Sequence, residues 1–170
     1  MRILNRPEVS GVTAFAYGIL LTFLGAVTVF FLFAGFYTSM GMFVGITIAS
    51  VSAFVAIIML LLMLSLYQTR YILTDEELII KTSVLIGGSK NVPLRTVQSV
   101  EETLIPFGIR LFGASFHGGY YYVPGLGKAF LTITNFRDGL LIKTDSRNFV
   151  ITPSKPLDFK EAIQSRMKNL

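Results

Sequence analysis

Few groups in this 170-residue chain can do chemistry, and their spacing is informative. There is one histidine, His117, and no cysteine. Without thiols, disulfides, thiolate nucleophiles and Cys-based zinc or iron–sulfur sites fall away. One imidazole cannot build a multi-His metal site. No carboxylate stands at a spacing that would fix His117 as a base, so its expected role is that of a hydrogen-bonded loop residue. Glu101-Glu102 is a carboxylate pair of the kind acid–base chemistry uses. Neighbouring residues on a strand point to opposite faces, however, so these two do not converge. Gly125-Leu-Gly127-Lys128 lacks the spacing and the trailing Ser/Thr of a phosphate-binding loop. We expect no catalytic residue, no metal and no cofactor.

The densest run of interface chemistry is residues 105–128. It holds Gly108, Gly113, Gly118, Gly119, Gly125 and Gly127, with Pro106 and Pro124. A loop this long without regular structure is uncommon and often functional. Aromatic and Arg side chains are enriched at interface hot spots. The candidate contact residues are therefore Phe107, Arg110, Phe112, Phe116, His117, Tyr120, Tyr121 and Tyr122, facing a partner protein, another subunit or the membrane interface. A second reading has the glycines making turns and the aromatics filling the domain's own core.

The elements that must position these residues follow from where charge is missing. Arg2, Arg6 and Glu8 lie in the first ten residues, and the next ionisable side chain of the Asp, Glu, Lys, Arg and His set is Arg70. Positions 11–69 form a 59-residue charge-free block in a chain of mean hydropathy +0.64. Spanning a hydrocarbon core of ~30 Å takes about 20 apolar residues as a helix, and only a helix or closed barrel satisfies its backbone in lipid. The block supplies two spans, about 12–36 and 42–66, joined by Tyr37-Thr38-Ser39-Met40-Gly41. Tyr37 and Tyr67 stand where amphipathic rings prefer the membrane–water boundary. The first apolar run is too long for a signal-peptide core, so a retained span is expected. Arg2 and Arg6 precede the first span, Arg70 and Lys81 follow the second, and the turn has no Lys or Arg. The positive-inside rule puts both termini in the cytoplasm of a two-span cell-membrane protein.

The spans carry a packing signal and no Asp, Glu, Lys, Arg or His, which disfavours a pore or proton-coupled carrier. Gly41, Gly45, Ala49 and Ala53 recur every four residues, and Gly11, Gly18 and Gly25 every seven. Such spacing lets helix backbones approach closely. Either the two stripes face each other in one hairpin, or one serves a second copy or a partner membrane protein.

The remaining chain reads as a small β-rich domain closed by a helix. It holds 13 Lys/Arg and 9 Asp/Glu, a formal charge of +4. This mixture argues against a nucleic-acid partner. Strand-type runs are expected at 71–74, 78–82, 91–94 as an edge, 97–104, 129–134, 140–144 and 148–152, with turns at Gly87-Gly88, Asp138-Gly139 and 145–148. From Pro156, the residues Leu157, Phe159, Ala162, Ile163 and Met167 share one helical face, with Ser154 as the expected N-cap.

Three stretches carry a family resemblance. Tyr71-Ile-Leu-Thr-Asp-Glu-Glu-Leu-Ile-Ile-Lys81 and Val92-Pro-Leu-Arg-Thr-Val-Gln-Ser-Val100 resemble the opening strands of bacterial and archaeal PH-like domains. Phe149-Val-Ile-Thr-Pro-Ser-Lys-Pro-Leu-Asp-Phe-Lys-Glu-Ala-Ile163 resembles their last strand running into the C-terminal helix. The chain is similar to membrane-anchored prokaryotic PH-like domain proteins, in which two spans precede the domain. The resemblance implies a membrane α-helical hairpin plus an α+β domain: a PH-like, seven-stranded, partly open barrel capped by a C-terminal helix. The expected division is 1–11 as a cytoplasmic N-terminal segment, 12–67 as the hairpin and 70–168 as the PH-like domain.

Fold alone does not fix a ligand. PH domains that bind phosphoinositides place Lys and Arg around the first strand–strand loop, where this chain has Asp75-Glu76-Glu77, a set that repels phosphate. The expected function is non-catalytic protein binding, scaffolding or assembly at the cytoplasmic membrane face, with membrane lipids held through two spans and a protein partner or self-association. The alternatives are an anionic-lipid-sensing domain and an accessory subunit of a membrane transporter or enzyme.

Overall fold

The computed structural model describes residues 2–7, 9–38, 41–113, 117–136 and 138–170. The chain divides into two compact units: Gly11–Leu64, and Met1–Ser10 together with Ser65–Leu170.

The charge-free block forms two helices, α1 (Gly11–Tyr37) and α2 (Met42–Tyr67), each long and apolar enough by length and composition to cross a membrane. They run antiparallel. A glycine pair, Gly35 and Gly45, meets near the turn, and further along the Thr28 hydroxyl hydrogen-bonds that of Ser52 at 2.8 Å. A Cβ on Gly45 would stand 2.6 Å from the Gly35 Cα and 2.7 Å from the Phe31 carbonyl oxygen, so only glycine lets these backbones approach so closely. Small residues line the contact: Ala34, Gly35, Gly45, Ala49 and Ser52 are buried, while Phe15, Phe23, Phe30, Phe43 and Phe54 point outward. Thr22 and Thr47 bond back to carbonyls four residues earlier in their own helices.

This corrects part of the expected stripes. Gly18 and Gly25 face away from α2 with open space around them. Gly41 precedes α2 at φ +85°, as a turn residue, and Ala53 is only half-buried. The contact face of α1 follows the true helical period through Thr13, Tyr17, Ala34 and Gly35 rather than a strict seven-residue repeat. Ser39 and Met40 of the turn lie outside the described residues.

The second unit holds ten strands among the described residues, in two open sheets. The first runs β1 (Ile3–Asn5), β2 (Arg70–Leu73), β3 (Glu77–Lys81) and β4 (Lys90–Pro93), all antiparallel. The second contains β5 (Val97–Thr103), β6 (Ile109–Phe112), β7 (Gly118–Val123), β8 (Gly127–Thr132), β9 (Gly139–Thr144) and β10 (Asn148–Ile151), in the order β5-β9-β10-β8-β7-β6. β10 inserts between β9 and β8 and pairs with β8 in parallel. The helix α3 (Pro156–Met167) follows. Pro156 occupies its first turn, where a missing N–H costs nothing. Its N-cap is Lys155 without a side-chain bond, and Ser154 instead donates its backbone N–H to Asn5 Oδ1 at 3.1 Å.

The layout of helices, open sheets and closing helix is the one the resemblance implies. The strand count exceeds seven because β1, β6 and β7 are added. β1 lies before α1 in sequence yet pairs with β2, immediately after α2, so the N-terminal segment belongs to the β domain. Ser10 strengthens this by donating to the Thr134 carbonyl at 2.9 Å.

The core follows the two-residue period of the strands. Tyr71, Leu73, Leu78, Ile80, Val100, Phe130, Ile142, Phe149 and Ile151 meet Phe159 and Ile163 of α3 between the sheets. On the other face of the second sheet, Val123, Ala129, Leu131, Leu141 and Val150 form a smaller cluster. β8, β9 and β10 are thus apolar on both faces, as in Leu140-Leu141-Ile142. Tyr71 ties the sheets together: its buried hydroxyl donates to the Thr132 carbonyl and accepts from the Thr152 N–H, both at 3.3 Å.

Candidate functional site

The Gly/aromatic segment is a hairpin. β6 and β7 pair antiparallel, with Ile109 opposite Tyr122, Arg110 opposite Tyr121 and Phe112 opposite Tyr120, and a bulge at Leu111. The expected loop is therefore replaced by two strands. Their pattern was hidden because glycines stand where alternating apolar residues would signal a strand. Gly118 needs its lack of a side chain: a Cβ would lie 2.6 Å from the Leu131 carbonyl oxygen and 2.5 Å from Ile86 Cγ2. Gly119, at φ +125°, lets β7 run against Phe112 and Gly113.

The eight candidate contact residues separate by strand. β7 supplies core: Tyr120 packs against the main cluster, edge-on to Phe130 at 5.2 Å, while Tyr121 packs against the smaller cluster on the opposite face. Arg110 is pinned inside the hairpin, donating to the Tyr121 hydroxyl through Nε at 3.2 Å and Nη2 at 2.9 Å, with its cation over the same ring. His117 is buried, 6% exposed, with its ring 6.0 Å from that of Phe136. Burial holds its pKa below the usual value; a hydrogen bond to the Ile133 backbone pushes the other way, and the Arg110 charge reinforces the lowering. His117 is thereby corrected from a surface contact to a buried residue, while Arg110, Tyr120 and Tyr121 are half-buried, engaged within the domain and still partly exposed. Phe116 lies outside the described residues.

The surface belongs to β6 and its approach. Phe107 is 94% exposed and Phe112 70%, and Tyr122 is half-exposed. Ile109 and Leu111, absent from the candidate set, are more than half-exposed on β6, and Leu104, also exposed, follows β5 at the other edge of the sheet. Their signal in the sequence was the apolar run Leu104-Ile105-Pro106-Phe107 followed by Ile109 and Leu111. β6 is also the outermost strand of its sheet, hydrogen-bonded only to β7 among the described residues. Natural edges are commonly blunted by charge or proline; this one presents large apolar side chains.

The acidic groups do other work. Glu101 meets Lys143 at 2.9 Å and Glu102 meets Lys160 at 2.8 Å, so the adjacent carboxylates turn to different lysines. Hydrogen bonds from Lys143 and Ser99 hold the Glu101 pKa below its usual value. In the first strand–strand loop Asp75 meets Arg166 of α3 at 3.4 Å, and at the start of β3 Glu77 accepts from Asn91 at 3.1 Å. Among the described residues no three His, Asp or Glu side chains gather as a metal site would require.

A family model described as a bacterial PH domain matches residues 69–167, more than half of the chain. The chain belongs to the bacterial PH domain family. A second bacterial PH domain model matches residues 12–113, running from α1 through β6. No curated protein and no solved structure matches the chain. In this PH domain the first strand–strand loop, between β2 and β3, carries Asp75 and Glu76, with Glu77 opening β3, and no basic side chain. Its basic residues on the opposite seam, Lys90 at the start of β4 and Arg147 in the β9–β10 turn, converge on Tyr120.

Proposed function

We propose that this PH domain is a non-catalytic, membrane-anchored binding module whose β6 edge docks a partner protein at the cytoplasmic membrane face. The observation that carries the reading is the exposed apolar edge itself: Phe107, Ile109, Leu111, Phe112 and Tyr122 on and beside one outer strand. Contiguous exposed apolar surface marks interaction sites, and an open strand edge offers backbone groups to an incoming strand.

Membrane anchoring is supported by α1 and α2, which bury small residues against each other and turn their phenylalanines outward, the reverse of a soluble helix pair. The arginines before α1 and the basic residues after α2 favour a cytoplasmic domain. Pairing of β1 with β2, which flank the helices in sequence, supports a topology with both ends of the hairpin on one side.

The test places a photo-crosslinking residue at Phe107 or Phe112 of the full chain in its native membrane, with Gln98 on the opposite sheet edge as control. Protein adducts from 107 and 112, absent from 98 and abolished by the Ile109→Ser/Leu111→Ser pair in a folded chain, are expected. A larger membrane protein in the adduct would identify the accessory-subunit form of this role. Lipid adducts alone would replace protein docking with lipid sensing, and equal adducts at 98 would overturn the edge assignment.

A further inference from the structure

We propose that Lys90, Arg147 and Tyr120 form a binding site for a phosphate group, built where the β4 edge of the first sheet meets the second sheet. The three side chains come from β4, the β9–β10 turn and β7, so the fold, not local sequence, assembles them. Lys90 Nζ lies 5.4 Å from the centre of the Tyr120 ring and 5.6 Å from that of Phe130. The Arg147 guanidinium carbon lies 4.9 Å from the centre of the same Tyr120 ring. Both side chains are half-buried. No ion pair joins either cation to a described carboxylate; Asp145, in the same turn as Arg147, is held by Gln98 at 2.7 Å.

Two like charges gathered on one ring repel each other, more strongly as burial removes water between them. The aromatic faces offset part of this through cation–π attraction. An oxyanion offsets the rest. The Tyr120 phenol senses both cations: burial raises its pKa, and the hydrogen bonding and charge of Lys90 with those of Arg147 outweigh it, leaving the pKa below its usual value. An oxygen facing two cations has its lone pairs directed at them and its O–H left to donate outward. The ensemble offers an ammonium, a planar guanidinium fork and a phenolic O–H, all donors. Arg forks and Lys point charges are the established ways to hold phosphate. The site lies apart from the acidic β2–β3 loop and does not depend on the β6 docking role.

The phosphate could be free or part of a lipid headgroup, and the test separates these. The full chain in neutral phosphatidylcholine nanodiscs is titrated with inorganic phosphate and, separately, with soluble short-chain phosphatidylglycerol, followed by ³¹P line broadening. Saturable broadening is expected in one or both titrations. Lys90→Gln/Arg147→Gln should weaken it at least tenfold. Tyr120→Phe, which keeps the ring and the cation–π contacts, should weaken it severalfold in a chain with unchanged circular dichroism. Saturation with phosphate identifies a free-anion site, and saturation with phosphatidylglycerol alone identifies a lipid-headgroup site. Equal weakening by the control pair Lys128→Gln/Lys155→Gln, or no saturation with either probe, would overturn the proposal.

Discussion

Gly119→Ala should destabilise the β domain far more than Gly125→Ala, although both glycines have positive φ. Gly125, at φ +79°, has open space around the added Cβ, so its cost is the left-handed backbone alone, about 1–2 kcal/mol. Gly119, at φ +125°, adds a collision: the Cβ would overlap the Phe112 carbonyl oxygen and press on the Gly113 Cα at 3.3 Å. Backbone cannot swing aside as a side chain can, so β6 must part from β7. Losing two of their few hydrogen bonds, at roughly 1 kcal/mol each, brings the total for Gly119→Ala to about 3–4 kcal/mol. For a domain near 100 residues each kcal/mol moves the midpoint by about 4–8 °C. The assay is thermal or denaturant unfolding of the full chain in mild detergent, read by near-ultraviolet circular dichroism of its 7 tyrosines in the absence of tryptophan. Equal midpoints for the two variants would refute the claim that the glycines of this segment exist to close the β6–β7 hairpin.

Three further outcomes follow from the same geometry. Tyr71→Phe removes the hydroxyl joining Thr132 and Thr152 and leaves a buried N–H unpaired, which should cost about 1–3 kcal/mol in the same unfolding assay. His117 has a folded pKa below its unfolded value of about 6.5, so the unfolded chain binds the extra proton. Its contribution is complete above pH 6.5 and is lost as pH falls from there through the folded value; His117→Gln should flatten the unfolding midpoint across that window. In the cysteine-free chain, the Thr28→Cys/Ser52→Cys pair should oxidise readily in membranes, and adding Gly45→Leu should prevent this while Gly18→Leu should not, as scored by gel mobility under non-reducing conditions.

What the sequence made legible, and what it did not, divides by the range of the determining interactions. α1 and α2 were readable because 59 uncharged residues leave few alternatives, and β3, β5, β9 and β10 because their apolar residues alternate or run unbroken between turn signals. β1 was not, since Ile3-Leu4-Asn5 becomes a strand only through pairing with β2, some 65 residues onward in the chain. The parallel insertion of β10 beside β8 is likewise set by the shared core rather than by any local signal. For the helix stripes, repeats of four and seven were visible, but Gly35, which lies outside those repeats, makes the close approach.

The Gly/aromatic segment shows why its two readings could not be separated in one dimension. The hairpin has one strand packed into the core and one exposed strand, of similar composition. On β7, Tyr120 and Tyr121 face opposite sides of the sheet and both find partners, one in the main core and one in the Arg110 fork. On β6, Ile109 and Leu111 find none, because the sheet ends there. A residue type cannot say whether its strand is the last of a sheet; only the strand order can. That order also brings Lys90 and Arg147, 57 positions apart, to one tyrosine ring. The exposed β6 edge and the cationic seam therefore share a single origin. β7 is flanked by β6 on one side, and its Tyr120 reaches across the core toward β4, so one strand positions both candidate surfaces. A change confined to β6 should alter docking and spare phosphate binding, whereas a change that displaces β7 should abolish both.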